Sequence, residues 1–360
     1  MPVYSGISHD SRLPDHSKPM IYLASGSRRT LLARIFTDSA AHDLSAFRID
    51  GFEVRPTPGM AYQPCDLAIV YGMPNPLLGR KRGSIRQSVH ENHKGPLLVV
   101  ESSILGRVFL PPKGQFLQRL VGAYRKPEQK NPFYRLALNA AFGPTADFAN
   151  KNSPSDRWER LGITIEPYRK AGDHVLLIGQ TPNDASLRGI DIVDWLIDTA
   201  RRIRKLSARP ILVRFHPGMG DDNAIKAKNR LRKIADVHVT PRDQTLAENL
   251  KDAWVSVSLS SGAAIESLIA GVPAITLSPD SLAYGITPHD LKVIENPPTP
   301  KREQFLYDLA YAQWSPEEYA DGTAWRHMES AVLSRMETCF ASTHGTPLEI
   351  AQSAFTGSAA

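Results

Sequence analysis

The sequence predicts an α/β protein of two domains, each a parallel sheet wrapped by helices, facing a central cleft. Three observations carry this. Short apolar strands alternate with amphipathic helices along the chain. The strands are near-continuous apolar runs, as expected of sheets covered on both faces. The pattern breaks at Gly162–Gly172, where Pro167 sits in a charged run, and then restarts. A length of 360 residues fits two domains.

In the first half, strands are predicted at Met20–Ser25, Phe47–Val54, Leu67–Tyr71 and Leu97–Glu101, each bounded by Gly, Pro or Asn. Gly79–Gly95 reads as a basic loop and helix, and Pro111-Pro112, Pro127 and Pro132 punctuate the less regular stretch that follows. The second half is clearer. Strands are expected at His174–Gln180, Ile211–Pro217, Val237–Pro241, Trp254–Gly262 and Pro273–Ser278. A helix over Ile190–Leu206 places Val193, Leu196, Ile197, Ala200 and Ile203 on one face, and Asp221-Asp222 start a basic helix. The expected domains are residues 1–168 and 169–335, with a tail over 336–360 that is loosely ordered from about Ser342.

Composition removes several classes. At 42% hydrophobic and 22% charged residues, the chain is neither disordered nor a low-complexity repeat. Cys65 and Cys339 form no CxxC pattern, which argues against a structural zinc site and for a reducing compartment. No apolar run reaches the roughly 18–20 residues of a membrane span, and the polar, Pro-rich N-terminus is not a secretory signal. A cytoplasmic location is expected. Charge is uneven: residues 1–170 hold 24 Lys and Arg against 14 Asp and Glu, and the remainder 19 against 23. The split points to a polyanion meeting the first half, or to a solvated basic surface.

In an open parallel sheet, ligands bind beyond the carboxyl ends of the strands. In the second half those positions are polar: Gln180, Thr181, Asn183, Asp184 and Ser186, then Arg214 and His216, then Ser258, Ser260, Ser261 and Gly262. The segment SLSSGAAIESLIAG sets small residues around helix N-terminal N–H groups, which suits a phosphate or diphosphate. Glu266, about one turn later, is positioned for ribose hydroxyls. The plain alternatives are a serine cap with a surface Glu266, a strand-end His216, and an Arg214 held in a buried ion pair.

SSGAAIESLIAGVPAI resembles the nucleotide-binding segment of GT-B glycosyltransferases: a small-residue turn, a helix with Glu, then Gly-x-Pro. RFHPG with the later Ser260-Ser261 is similar to the HP and SS motifs of capsule-type sialyl- and Kdo-transferases. QWSPEEYADGTAWRHM is similar to uncharacterised phage and prophage transferases. The resemblance implies two Rossmann-like domains in the GT-B arrangement. It also implies a nucleotide-sugar co-substrate, UDP-linked in preference to CMP-linked, with no tightly bound cofactor. Donor binding would fall to Gln180, Asp184, Arg214, His216, Ser260, Ser261, Gly262 and Glu266. His216 would meet charge on the departing phosphate. No Asp-x-Asp occurs, so no metal-bridged diphosphate is expected.

An inverting transfer needs a base from the first domain. Glu101, directly after the strand PLLVV, is the best-placed carboxylate, with Asp10, Asp50 and His42 as rivals. SGSRR resembles the glycine-containing loop that opens GT-B first domains, which brings Gly26 and Arg28 toward the acceptor. Arg80, Lys81, Arg82 and Arg86 head a basic series suited to a polyanion. DNA bearing 5-hydroxymethylated pyrimidine is the preferred acceptor, with the base flipped from the stack. The alternatives are a capsular or lipid-linked saccharide acceptor, a nucleotide-sugar epimerase of the same fold, and a catalytically silent nucleic-acid binder.

Overall fold

The computed structural model describes residues 20–22, 28–37, 47–75, 84–106, 108–110, 128–130, 132–344 and 349–350. The N-terminal unit contains β1 (Met20–Tyr22), β2 (Arg28–Thr37), β3 (Phe52–Pro58), β4 (Leu67–Tyr71), β5 (Leu97–Ser102), β6 (Val108–Leu110), β7 (Glu128–Lys130) and β8 (Tyr134–Leu138). Helix α1 (Ile85–Asn92) joins β4 to β5, and α2 (Asp156–Leu161) follows β8. Strands β6 and β7 form a separate antiparallel pair.

The C-terminal unit runs β9 (His174–Ile178), α3 (Ile192–Leu206), β10 (Ile211–Arg214), α4 (Asp221–Leu231), β11 (Val237–Val239), α5 (Leu246–Leu250), β12 (Ala253–Ser258), α6 (Ala263–Ile269) and β13 (Ala274–Thr276). Its five strands are all parallel, in the order β11-β10-β9-β12-β13. Helix α3 follows from its sequence. Asp191 caps it, accepting from the N–H groups of Val193 (2.8 Å) and Asp194 (3.1 Å), and Arg204 and Lys205 lie in the last turn. Its stripe Val193, Leu196, Ile197, Ala200 and Ile203 is buried against Val175, Leu177, Val213 and Val257 of the sheet.

After α7 (Glu303–Ala310), the chain returns to the N-terminal unit through β14 (Gln313–Trp314), α8 (Pro316–Ala320), α9 (Thr323–His344) and β15 (Glu349–Ile350). The N-terminal sheet has eight strands, in the order β14-β8-β5-β4-β2-β1-β15, with β3 also paired to β2. Strands β3, β2, β4 and β5 are parallel. Strands β8, β14, β1 and β15 join antiparallel. The sheet is therefore parallel at its centre and antiparallel at its flanks: β8 enters opposite to β5 on one side, and β1 runs opposite to β2 on the other. Trp325, Met328, Val332 and Met336 of α9 fill one face, against Leu31, Ile35, Leu98 and Leu136. Ile85 and Val89 of α1, with Phe142, fill the other, against Phe36, Val70 and Val99.

This return corrects the expected boundary at residue 335, while residues 345–348 and 351–360 of the expected tail lie outside the described residues. The second unit gives up the chain after α7, since the apolar residues of α9 bury against the first sheet. The same sheet holds strands the sequence reading missed, β2 and β8 among them as well as the two-residue β14 and β15. Strand β2 opens on Arg28-Arg29-Thr30, which disguises the buried Leu31, Ala33, Ile35 and Phe36, and β8 is a short run behind Pro132. The strand expected at Phe47–Val54 instead begins at Phe52, after a turn at Gly51, and carries Pro56 and Pro58. Those prolines are tolerated because β3 pairs only with β2 and is an edge strand.

Candidate functional site

Strand β9 is central in the C-terminal sheet, with β10 on one side and β12 on the other. The strand order reverses there, and the crevice beyond the carboxyl ends is the natural ligand position. Side chains tie the three strand ends together. The Ser260 N–H donates to Gln180 Oε1 at 2.9 Å, and Gln180 Nε2 donates to Ser260 Oγ at 3.0 Å and Ser186 Oγ at 3.2 Å. Asp184 Oδ1 accepts from the Ser186 backbone (2.9 Å) and hydroxyl (2.7 Å). Gln180, Ser186 and Ser260 are all buried.

Gln180, Asp184 and Ser260 thus build the floor of the crevice, and their polar atoms bond one another. Ser260→Ala is expected to lower the unfolding free energy by about 1–3 kcal/mol, since it leaves buried Gln180 short of partners. Denaturant melts of the folded variant check this, and a change under about 0.5 kcal/mol would show the lock to be slack.

His216 follows β10. The Gly218 N–H donates to its Nδ1 at 2.9 Å, and Thr181 Oγ1 lies 2.9 Å from the same nitrogen. With Nδ1 accepting, the proton of the neutral ring resides on Nε2. Gly218 is chosen for space: a Cβ there would stand 3.1 Å from Nδ1 and 3.2 Å from Thr181 Oγ1. Ser261 Oγ accepts from the Ala263 N–H at 3.3 Å, just before the seven-residue α6, whose N-cap is Gly262 and on which Glu266 is exposed. Arg214 Nη1 donates to Gln244 O and Asn249 Oδ1, each at 2.7 Å. These contacts hold Arg214 to the α5 side.

The N-terminal unit presents the carboxyl ends of β4 and β5 to this crevice. Glu101 lies near the end of β5, and its Oε1 accepts from the Ser102 N–H at 2.9 Å. Arg135, paired across the strands with Glu101 and buried, donates to Ser102 O and Ala141 O, both at 2.8 Å. Gln313 Oε1 accepts from the N–H groups of Ile104 and Leu105 at 3.1 Å. The loop they fix brings Ile104 to Gly262, where a Cβ would be 3.2 Å from Ile104 Cδ1. Beyond β4, Asn75 Nδ2 donates to the Asn183 carbonyl. Gly143 packs on buried Asp280, whose Oδ1 would be 2.6 Å from a Cβ there.

Sequence reasoning missed Arg135 and Gln313. A lone Arg inside the apolar run YRLAL was the available signal. Two of the expected site residues sit at the other end of the sheet. Arg28 opens β2, at the amino end of the sheet and away from the crevice. Asp50 precedes β3 at that same end and pairs with Arg48 at 2.7 Å. Arg86 lies at the crevice end, its guanidinium over Gly72. Gly26, Arg80, Lys81, Arg82, Asp10 and His42 lie outside the described residues.

Two Rossmann-like units thus face each other through the carboxyl ends of their strands, with the C-terminal segment returning to the first: a GT-B arrangement. No protein-family model matches the chain, and no curated protein does. Among solved structures, the chain is similar to the β-Kdo 2,4 transferase KpsC of Thermosulfurimonas dismutans, with 16% identity and a TM-score of 0.48, over 79% of this chain and 90% of that one. The β-Kdo 2,7 transferase of the same organism gives 14% and 0.44, over 83% and 99%. The UDP-GlcNAc 2-epimerase of Methanocaldococcus jannaschii gives 11% and 0.29, over 75% and 76%.

Proposed function

We propose that the chain is a glycosyltransferase that takes a sugar from a nucleotide donor held on the C-terminal unit and passes it to a hydroxyl presented by the N-terminal unit. The observation that carries this reading is the bonded cluster of strand ends at β10, β9 and β12, set opposite the carboxyl ends of β4 and β5. In the proposed step, the acceptor oxygen attacks the anomeric carbon and Glu101 takes its proton. The bond from that carbon to the phosphate oxygen breaks, and the electron pair leaves with the nucleotide. His216 Nε2–H and the N–H groups around Ser261 and Gly262 meet the new charge. Charge neutralisation is assigned to these groups, without a metal.

For the donor, a UDP-sugar is preferred and a CMP-sugar is the second choice. For the acceptor, the basic excess of residues 1–170 supports a polyanion, and we favour 5-hydroxymethylated pyrimidine in DNA with the base flipped into the crevice. The test is incubation of the protein with UDP- and CMP-sugars and hydroxymethylated DNA, followed by mass measurement of the digested nucleosides. A hexose-sized mass increase is the expected result. Modification of an anionic saccharide while the DNA stays unmodified would overturn the acceptor, and a C2-epimerised donor without transfer would overturn the transferase.

His216→Ala is expected to lower kcat roughly a hundredfold, the scale for removing one donor to a developing anion. The donor KM should change much less, because the contact strengthens only as the phosphate departs. Steady-state kinetics decide: an unchanged kcat would return His216 to a purely structural place at the end of β10.

A further inference from the structure

We propose that Arg86 and His90 of α1, with Arg188 facing them from the C-terminal unit, form a subsite for a phosphate group of the acceptor. Arg86 and His90 are one turn apart and share a face of the helix. The half-buried Arg86 guanidinium lies across the carboxyl end of β4, where a Cβ on Gly72 would stand 3.3 Å from its Cζ and Nε. Arg86 has no hydrogen bond or ion pair among the described residues. His90 Nε2 is buried and has no hydrogen-bond partner there either. A guanidinium and an imidazole withdrawn from water without partners carry a desolvation cost that a bound anion removes.

The third group comes from across the crevice. The Arg188 guanidinium is held by both oxygens of Asp280, at 3.0 Å each, and stands 5.3 Å from the centre of the Phe142 ring. Phe142 packs with Ile85 and Val89 of α1, so Arg188 lies over the cluster that carries His90. Burial first, and then the charge of Arg188, push the His90 pKa down to about 4. The ring is therefore neutral near pH 7, in a field that favours an anion beside it. The one acidic residue of α1, Glu91, is exposed and bonded to Gln87. A guanidinium fork beside an imidazole suits a tetrahedral oxyanion. Strand β5, which carries Glu101, is the neighbour of β4, so an acceptor held here by a phosphate has its hydroxyl near the proposed base. Only the word acceptor rests on the transferase reading; phosphate binding stands without it.

The test uses the full chain titrated with inorganic phosphate, following heat and the ring signals of His90 by NMR. The His90 signals are expected to move with saturation in the native protein. Arg86→Gln should weaken phosphate binding tenfold or more and abolish that movement, while Arg86→Lys recovers part of the affinity. Static His90 signals, or an affinity unchanged in a folded Arg86→Gln, would overturn the subsite. A short phosphodiester oligonucleotide should displace the phosphate, and a carboxylated saccharide of equal charge should not. Displacement by the saccharide alone would overturn the assignment to an acceptor phosphate. Phosphate binding that persists while no sugar transfer occurs would strike the transferase reading and leave the subsite standing.

Discussion

Replacing Gly271 with Ala should lower the unfolding free energy by about 2–5 kcal/mol, combining left-handed backbone strain with overpacking. Gly271 has φ of 71°, and the added Cβ would overlap the carbonyl oxygen of Pro167. That oxygen cannot swing aside. The linker is sewn to the end of α6 on both sides of it, by Glu166 N–H to Ile269 O and Arg169 N–H to Gly271 O, each 2.9 Å. The Gly-x-Pro that figured in the family resemblance is therefore explained by the close passage of the linker. Denaturant unfolding is the measurement, and a loss below about 1 kcal/mol would mean that the linker has room to move.

Trp325→Ala should cost about 3–5 kcal/mol, the range for removing a large aromatic from a core. Trp325 is fully buried, and its ring meets Phe52 edge-on, with centroids 5.5 Å apart at 80°. The variant also tests which unit owns the C-terminal helix. Amide exchange should accelerate first in β2, β4 and β5, with α3 and β9 still protected. Acceleration confined to the C-terminal sheet would contradict the assignment of α9 to the N-terminal unit.

The C-terminal sheet was legible because each of its strands is a parallel, doubly covered apolar run followed by a polar turn. HVLLI, ILVR and WVSVS leave little else to read. The N-terminal sheet was less so. Its β14 has two residues, and its pairing to β8 comes from a segment nearly two hundred positions later, which no local pattern reveals. In the site, spacing correctly brought Gln180, His216 and Ser260 to neighbouring strand ends. It could not say whether their polar atoms point at a ligand or at each other. Gln180 and Ser260 bond each other, while His216 is oriented by a backbone N–H two residues on. Arg135 and Gln313 were missed for a related reason: both bond backbone groups of distant segments, which the residue pattern does not record, although a lone Arg in YRLAL marked the first.

The return of the chain also sets an order of assembly. Residues 173–276 contain the whole five-stranded sheet in one uninterrupted stretch. The first sheet is made earlier on the ribosome, yet it lacks its covering helix and the flanking strands β14 and β15 until residues beyond 312 have emerged. Its central strands, rich in buried Leu, Ile and Val, must wait with one face bare while the later unit completes. The half of the protein synthesised first is the half that finishes last, and the interval between the two is when the nascent chain is most exposed to aggregation.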